Sequence, residues 1–313
     1  MNLIFCGTPE FAVPTLEALI ACHDIALVVT QPDRAAGRGM ELHAPPVKLA
    51  ALAHNIPVTQ PGKIKTNPEF RTLLESIRPD AIIVVAYGRI IPRWMLDLPP
   101  LGNINLHGSL LPKYRGAAPI QWAVANGEPV TGVTTMRIDE GLDTGPMLLA
   151  HAIPIAPNET APDVFHALSS IGAQLMVQTL ARLSAGILAP QPQDHSQATL
   201  APILTREDGI IDFTRPALQI YNRWRGCQPW PGAHTLLRGK KLIAHRIHIG
   251  PAHGHHPGPD PGTLHIPGAE LCVVCGTGTT IVFDEVQLEG KRRMTASEFL
   301  RGFQLRSGER LGL

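Results

Sequence analysis

An alternation of short apolar runs with helix-like stretches constrains this chain more than any other feature. The runs fall at residues 3–5, 25–29, 82–86 and 104–106. They are too short for helices, rich in Ile and Val, and bounded by turn residues, which marks strands. Between them, residues 46–54, 68–77 and 119–125 each open on a proline, as helices often do. Earlier, Thr8 reads as an N-cap with Pro9 in the first helical position, and Phe11, Leu16, Leu19 and Ile20 follow at helical spacing. Strands alternating with helices imply right-handed βαβ units and an α/β fold with a mainly parallel, doubly wound sheet. Ligands of such sheets bind outside the carboxyl ends of the strands.

The pattern changes further on. Residues 162–183 read as one long helix closed by Gly186, and the Pro- and Gln-rich stretch 189–196 reads as a solvated linker. Beyond it come short strands at 210–213, 242–249, 271–274 and 280–283, with one helix at 216–225, the pattern of a small β-barrel. We therefore expect a first domain over 1–188, a linker over 189–204 and a second domain over 205–313. A chain of 313 residues is long for a single core, and 44% hydrophobic with 17% charged residues is the balance of a folded protein. The tract 253–262, with His253, His255 and His256 among Gly and Pro, reads as a loop rather than a metal site. Trp224 and Trp230 are expected in the core.

Met1-Asn2 leads straight into an apolar run, without a basic stretch, a longer apolar segment and a cleavage site, and no apolar stretch reaches the roughly 20 residues of a membrane span. A cytoplasmic location without membrane contact is expected. Five cysteines are an odd number and fit free thiols in a reducing compartment. Cys272 and Cys275 have the spacing of half a zinc site, but no second such pair occurs, and their alternating apolar context reads as a strand. There is no GxGxxG fingerprint, phosphate loop or HExxH motif, so no metal or nucleotide chemistry is expected. Residues 1–203 hold 13 Lys and Arg against 16 Asp and Glu, whereas 204–313 hold 14 against 10. The second domain is thus the basic one, which permits a polyanionic partner. No long apolar patch or heptad pattern suggests an interface, and a monomer is expected.

The chemistry concentrates between residues 102 and 146. If 103–107 is a strand, its period of two places Asn103, Asn105 and His107 on one face, next to the Gly108 turn. A second strand at 131–138 runs into an acidic, Gly-containing turn that carries Asp143. From there a carboxylate can face the Asn105-x-His107 pair as a base or as the group that orients the imidazole. On residues alone, a satisfied Asn and His at an ordinary strand end, with Asp143 as a turn residue, stands equally open.

The segment Asn105-Leu106-His107-Gly108-Ser109-Leu110-Leu111-Pro112-Lys113-Tyr114-Arg115-Gly116-Ala117-Ala118-Pro119-Ile120-Gln121-Trp122, followed by Gly141-Leu142-Asp143-Thr144-Gly145, resembles the folate-dependent formyltransferases. Four more segments resemble the branch that acts on aminoacyl-tRNA, and with them the likeness spans nearly the whole chain. They are Cys6-Gly7-Thr8-Pro9-Glu10-Phe11-Ala12, the stretch from Thr30 through Arg34 and Arg38 to Gly39, Val84-Val85-Ala86-Tyr87-Gly88, and Pro229-Trp230-Pro231-Gly232-Ala233. The resemblance implies a Rossmann-like doubly wound sheet followed by a smaller OB-like β-barrel. It implies catalytic roles for Asn105, His107 and Asp143, and a folate pocket lined by Ser109, Leu110, Leu111 and Pro112. It implies 10-formyltetrahydrofolate as donor and methionyl initiator tRNA as acceptor. Arg38, in the Gly- and Pro-rich loop 33–47, would approach the acceptor end, and Lys240, Lys241, Arg246 and Arg292 would meet the tRNA backbone. The catalytic trio alone does not choose among amines, so glycinamide ribonucleotide and amino sugar nucleotides are the competing acceptors. An RNA-binding adaptor without activity is the non-enzymatic alternative.

Overall fold

β1 (Asn2–Gly7) occupies the middle of the main sheet because Leu3, Ile4, Phe5 and Cys6 are all 0% exposed, and a strand apolar on both faces must be covered on both. Burying each of the larger of these side chains contributes about 1.5–3 kcal/mol. The computed structural model describes residues 1–36, 41–251 and 259–312. They form two packed units: Met1–Pro119, Val130–Pro154 and Asp163–Pro202 in the first, and Ile120–Pro129, Ile155–Pro162 and Ile203–Leu313 in the second.

In the first unit, β1 is followed by α1 (Val13–Ile20), β2 (Asp24–Val29), the hairpin strands β3 (Arg34–Ala36) and β4 (Glu41–His43), α2 (Pro46–Ala53), β5 (Val58–Thr59), α3 (Pro68–Ile77), β6 (Ala81–Val85), α4 (Arg93–Leu96) and β7 (Asn103–His107). Along the chain there follow α5 (Pro119–Ala125), nearly all of which belongs to the second unit, and then, in the first, β8 (Val130–Arg137), β9 (Met147–Pro154) and α6 (Ala161–Ser184). The seven-stranded sheet runs β5-β2-β1-β6-β7-β8-β9. Strands β5, β2, β1, β6 and β7 are parallel, and β8 and β9 extend the β7 side antiparallel. This is the mixed, mainly parallel doubly wound sheet expected. The winding reverses between β1 and β6, and their carboxyl ends are tied there by the Thr8 hydroxyl, which donates to the Tyr87 carbonyl at 3.2 Å.

That bond explains one departure from the sequence reading. Thr8 caps no helix, because its hydroxyl serves the end of β6; a 3-10 turn at Glu10–Ala12 precedes α1 instead. A second departure is the loop 33–47, whose described part pairs as the β3–β4 hairpin, with Arg34 opposite His43. Third, the stretch read as a solvated linker keeps most of its side chains exposed but is pinned along its backbone. Gln191 exchanges two 2.8 Å backbone hydrogen bonds with Met147, Gln193 is buried, and Ala201 pairs with Arg115 and Ala118.

In the second unit, α7 (Ala217–Gly226) precedes β10 (His234–Leu237), β11 (Lys240–Ile249), β12 (Leu264–His265), β13 (Leu271–Val274), β14 (Thr280–Leu288), β15 (Met294–Thr295) and α8 (Ala296–Gly302). One curled antiparallel sheet runs β10-β11-β14-β13-β12, with β15 on β14 and register shifts along β11. Trp224 is buried in the core beneath α7, where its indole N–H donates to the Ala244 carbonyl at 2.9 Å. Trp230 is 51% exposed, contrary to the core expectation, because it sits in a turn rather than on an element face. Residues 210–213 form no strand: Ile211 and Phe213 are buried, but the backbone makes only a single bridge, from Ile210 to His234. Cys272 and Cys275 lie in and just after β13, where burial pushes their thiols up to about 11 and about 12; at Cys272 the neighbouring Glu270 adds to the rise. Thiols so disfavoured as thiolates fit the strand reading rather than a metal or redox pair. The His253–His256 tract lies outside the described residues.

Candidate active site

β7 carries the site, and its period of two divides its side chains as the sequence suggests. On one face, Leu106 lies against α6, where a methyl group added at Gly172 would come within 2.6 Å of it. On the other, Asn103 is a buried anchor, its amide donating to the carbonyls of Met95 and Leu96, and Asn105 and His107 follow toward the carboxyl end. The Asn105 side chain is half-buried, and no protein group among the described residues engages its carboxamide.

His107 is 5% exposed, and its Nε2 lies 2.9 Å from the Tyr114 carbonyl. A carbonyl only accepts, so Nε2 carries the proton and donates. The free nitrogen, Nδ1, faces Asp143 Oδ2 at 3.6 Å. β8 is antiparallel to β7 and leaves the sheet beside Ile104, so the connection after Arg137 has to return along β7 to bring Asp143 to His107.

That connection is held in place. Asp143 adopts the left-handed region, φ 52°, and its Oδ2 accepts from the Gly116 N–H at 2.9 Å. Its carbonyl accepts from the Gln193 amide at 2.9 Å, and the same amide donates to the Gly145 carbonyl at 2.7 Å. Gln193 Oε1 accepts from Arg115 Nε and Nη2 at 3.1 and 2.6 Å, and Arg115 Nη2 also donates to His195 Nδ1 at 3.0 Å. Gly116 has to be glycine: its φ is 124°, and a Cβ would stand 2.6 Å from the Ala201 carbonyl oxygen. Gly116→Ala is expected to destabilise the protein by about 1–3 kcal/mol and to move the N–H away from Asp143. Thermal unfolding checks this, and a variant as stable as the parent would count against it.

A family model described as formyl transferase matches residues 1–180, and one described as formyl transferase, C-terminal domain, matches 203–304. The methionyl-tRNA formyltransferase of Acidobacterium capsulatum is 63% identical, with 100% of both chains aligned. That of Koribacter versatilis is 59% identical over 100% of this chain and 99% of its own. The chain belongs to the methionyl-tRNA formyltransferase family. Among solved structures, a sugar 3N-formyltransferase, WlaRD, crystallised with dTDP and 5-N-formyltetrahydrofolate, superposes with a TM-score of 0.65 at 18% identity, covering 93% of this chain and 99% of its own. At that identity the likeness speaks for the fold.

For a methionyl-tRNA formyltransferase family member, the residues named from sequence distribute unevenly. His107 and Asp143 face each other at 3.6 Å, and Asn105 lies two residues before His107 on the same face of β7. Ser109 is buried and donates its hydroxyl to the Lys113 carbonyl at 2.6 Å, while Thr134 accepts from the Leu111 N–H and donates to the Ser109 carbonyl. Leu111 is buried, and Leu110 and Pro112 are half-buried. Arg38 lies outside the described residues. Of the four cations named on the second unit, Lys240 is exposed and Lys241 half-buried, both near the β10–β11 turn. Arg246 and Arg292 instead face acids, Arg246 near Asp284 and Glu285 and Arg292 on Glu298 at 3.1 Å. Sequence reasoning missed Gln193 altogether and left Arg115 without a role. Arg115 lies within the recognised motif; nothing local distinguishes Gln193 from its Pro-rich surroundings.

Proposed function

We propose that this protein transfers the formyl group of 10-formyltetrahydrofolate to the α-amino group of methionyl initiator tRNA, acting as a monomer in the cytoplasm. The observation that carries the reading is the His107–Asp143 arrangement beside an unengaged Asn105 carboxamide, in a chain aligned end to end with methionyl-tRNA formyltransferases.

An aminoacyl amine with a pKa near that of a free α-amino group, about 8, is already partly neutral at pH 7. The difficult species is the tetrahedral adduct formed when the amine nitrogen bonds to the formyl carbon. Its oxygen becomes negative and needs a donor, which the free Asn105 amide supplies. Its nitrogen must lose a proton, and the folate nitrogen must gain one before its bond to the formyl carbon breaks. With Nε2 committed to Tyr114, His107 exchanges protons through Nδ1, and the Asp143 carboxylate facing it supplies the counter-charge for the imidazolium formed in the step. Ser109 shapes the turn through Lys113, leaving Leu110, Leu111 and Pro112 to line the folate pocket.

Incubation with 10-formyltetrahydrofolate and methionyl initiator tRNA, in competition with glycinamide ribonucleotide and amino sugar nucleotides, tests the reading. Formylated methionyl-tRNA is expected to dominate, and absence of any tRNA-dependent product would reject it. Lys240 and Lys241, whose ammonium groups pair with no acid among the described residues, are the cations we assign to the tRNA backbone, with Arg246 and Arg292 available on loss of their acidic partners. If about four phosphates are neutralised, log affinity should fall with log salt at a slope of roughly −3 to −4. Titration at several ionic strengths measures it; a flat dependence would remove the electrostatic contact.

A further inference from the structure

The catalytic pair is framed by three consecutive residues and one distant side chain. Tyr114 supplies the carbonyl that takes the His107 Nε2 proton, Arg115 sends its buried guanidinium to Gln193, and Gly116 gives its N–H to Asp143 Oδ2. Gln193 closes the frame by donating to the main chain of Asp143 and of Gly145. Every valence of that amide is used: two donors on two carbonyls, and two lone pairs on two guanidinium N–H groups. Its orientation is therefore determined, since a flipped amide would set N–H against N–H and oxygen against oxygen.

Asp143 needs such support. A non-glycine residue in the left-handed region persists only where its surroundings over-determine it. A tether within this turn, Asp139 accepting from Gly141 N–H and the Thr144 hydroxyl, is exposed, whereas Gln193 is 6% exposed. Gln193 is itself anchored on both sides along the chain. Gln191 pairs with Met147, and Thr199 accepts the Tyr114 N–H through its hydroxyl and the Arg115 N–H through its carbonyl. The segment 191–201 thus grips the turn that bears Asp143 and the loop that holds His107.

We infer that Gln193 is a positioning residue of formyl transfer: it holds Asp143 in its left-handed turn and joins it to residues 114–116, setting Asp143 Oδ2 against His107 Nδ1. This rests on the formyl-transfer reading given above. Gln193→Glu separates positioning from packing. The substituted carboxylate has the same shape and still accepts from Arg115, but it turns an oxygen toward the carbonyls of Asp143 and Gly145 and releases the turn. A displacement of about 1 Å costs roughly 10²-fold in rate, and that is the loss of kcat expected per folded molecule, with methionyl-tRNA KM at the parental value. Gln193→Met, uncharged and of equal length, is expected to show the same kcat loss if the carboxylate prevents folding. Parental kcat per folded molecule in either variant would overturn the inference, as would a loss traceable wholly to fewer folded molecules. A parent chain that forms no formyl-methionyl-tRNA would instead reject the formyl-transfer reading itself.

Discussion

Replacing Asp143 by asparagine is expected to lower kcat by roughly 10²–10⁴-fold, the range that a positioned acid–base group supplies, with little change in folate affinity. Asparagine keeps the size of the side chain and an oxygen to accept the Gly116 N–H. It removes the charge that faces His107 Nδ1 at 3.6 Å. An imidazolium formed there would lose its counter-charge in a site where both side chains are largely shielded from water. The proton leaving the amine would then have no stabilised resting place. Stability should change little, because Asp143 is a turn residue with its main chain held independently by Gln193. Single-turnover formylation together with folate titration separates the two effects, and retained turnover would remove Asp143 from the chemistry.

Asn105→Ala is the second large effect, a loss of roughly 10²–10³-fold in kcat, as for removal of one oxyanion donor. The Asn105 amide holds no part of the fold together, since no protein group among the described residues engages it. A residue of that kind can be cut back without leaving a buried partner unsatisfied, so thermal stability should hold. Its contribution grows only as the formyl oxygen becomes negative, which places the loss in kcat rather than in KM. An equal rise in KM with kcat unchanged would mean that Asn105 binds the ground state instead. The double variant with Asp143→Asn should lose less than the product of the two single losses, since the groups act on one intermediate.

The central sheet was legible because β1, β2 and β6 are short, apolar and separated by helices with a proline in their first turn, and because β7 alternates apolar and polar residues. β9 was not: its burial alternates poorly, as suits an edge strand whose identity comes from pairing with β8. The period of two placed Asn105 and His107 on one face and the acidic turn offered Asp143 to it, but only the motif favoured a catalytic reading of the three over an ordinary strand end and turn. Gln193 was invisible for a physical reason. Proline and glutamine signal a solvated linker when counted, but a single buried amide and a few backbone hydrogen bonds suffice to hold such a stretch down. Charge counting misled in the opposite direction at Arg246 and Arg292. A net excess of cations says nothing about which ones already face an acid, and cross-strand placement puts Glu285 directly opposite Arg246.

The strap formed by residues 191–201 bears on how the enzyme is born. On the ribosome, β7, the turn bearing Asp143 and the whole of α6 are synthesised, and emerge, ahead of Gln193 and Thr199. In that interval the nascent chain already displays Asn105, His107 and Asp143, but the carbonyl of Asp143 and the N–H groups of Tyr114 and Arg115 await their partners. Competence arrives with about a dozen late residues rather than with the residues that do the chemistry. A chain cut at the end of α6 would keep Asn105, His107 and Asp143 and lose the groups that hold Asp143 and residues 114–115.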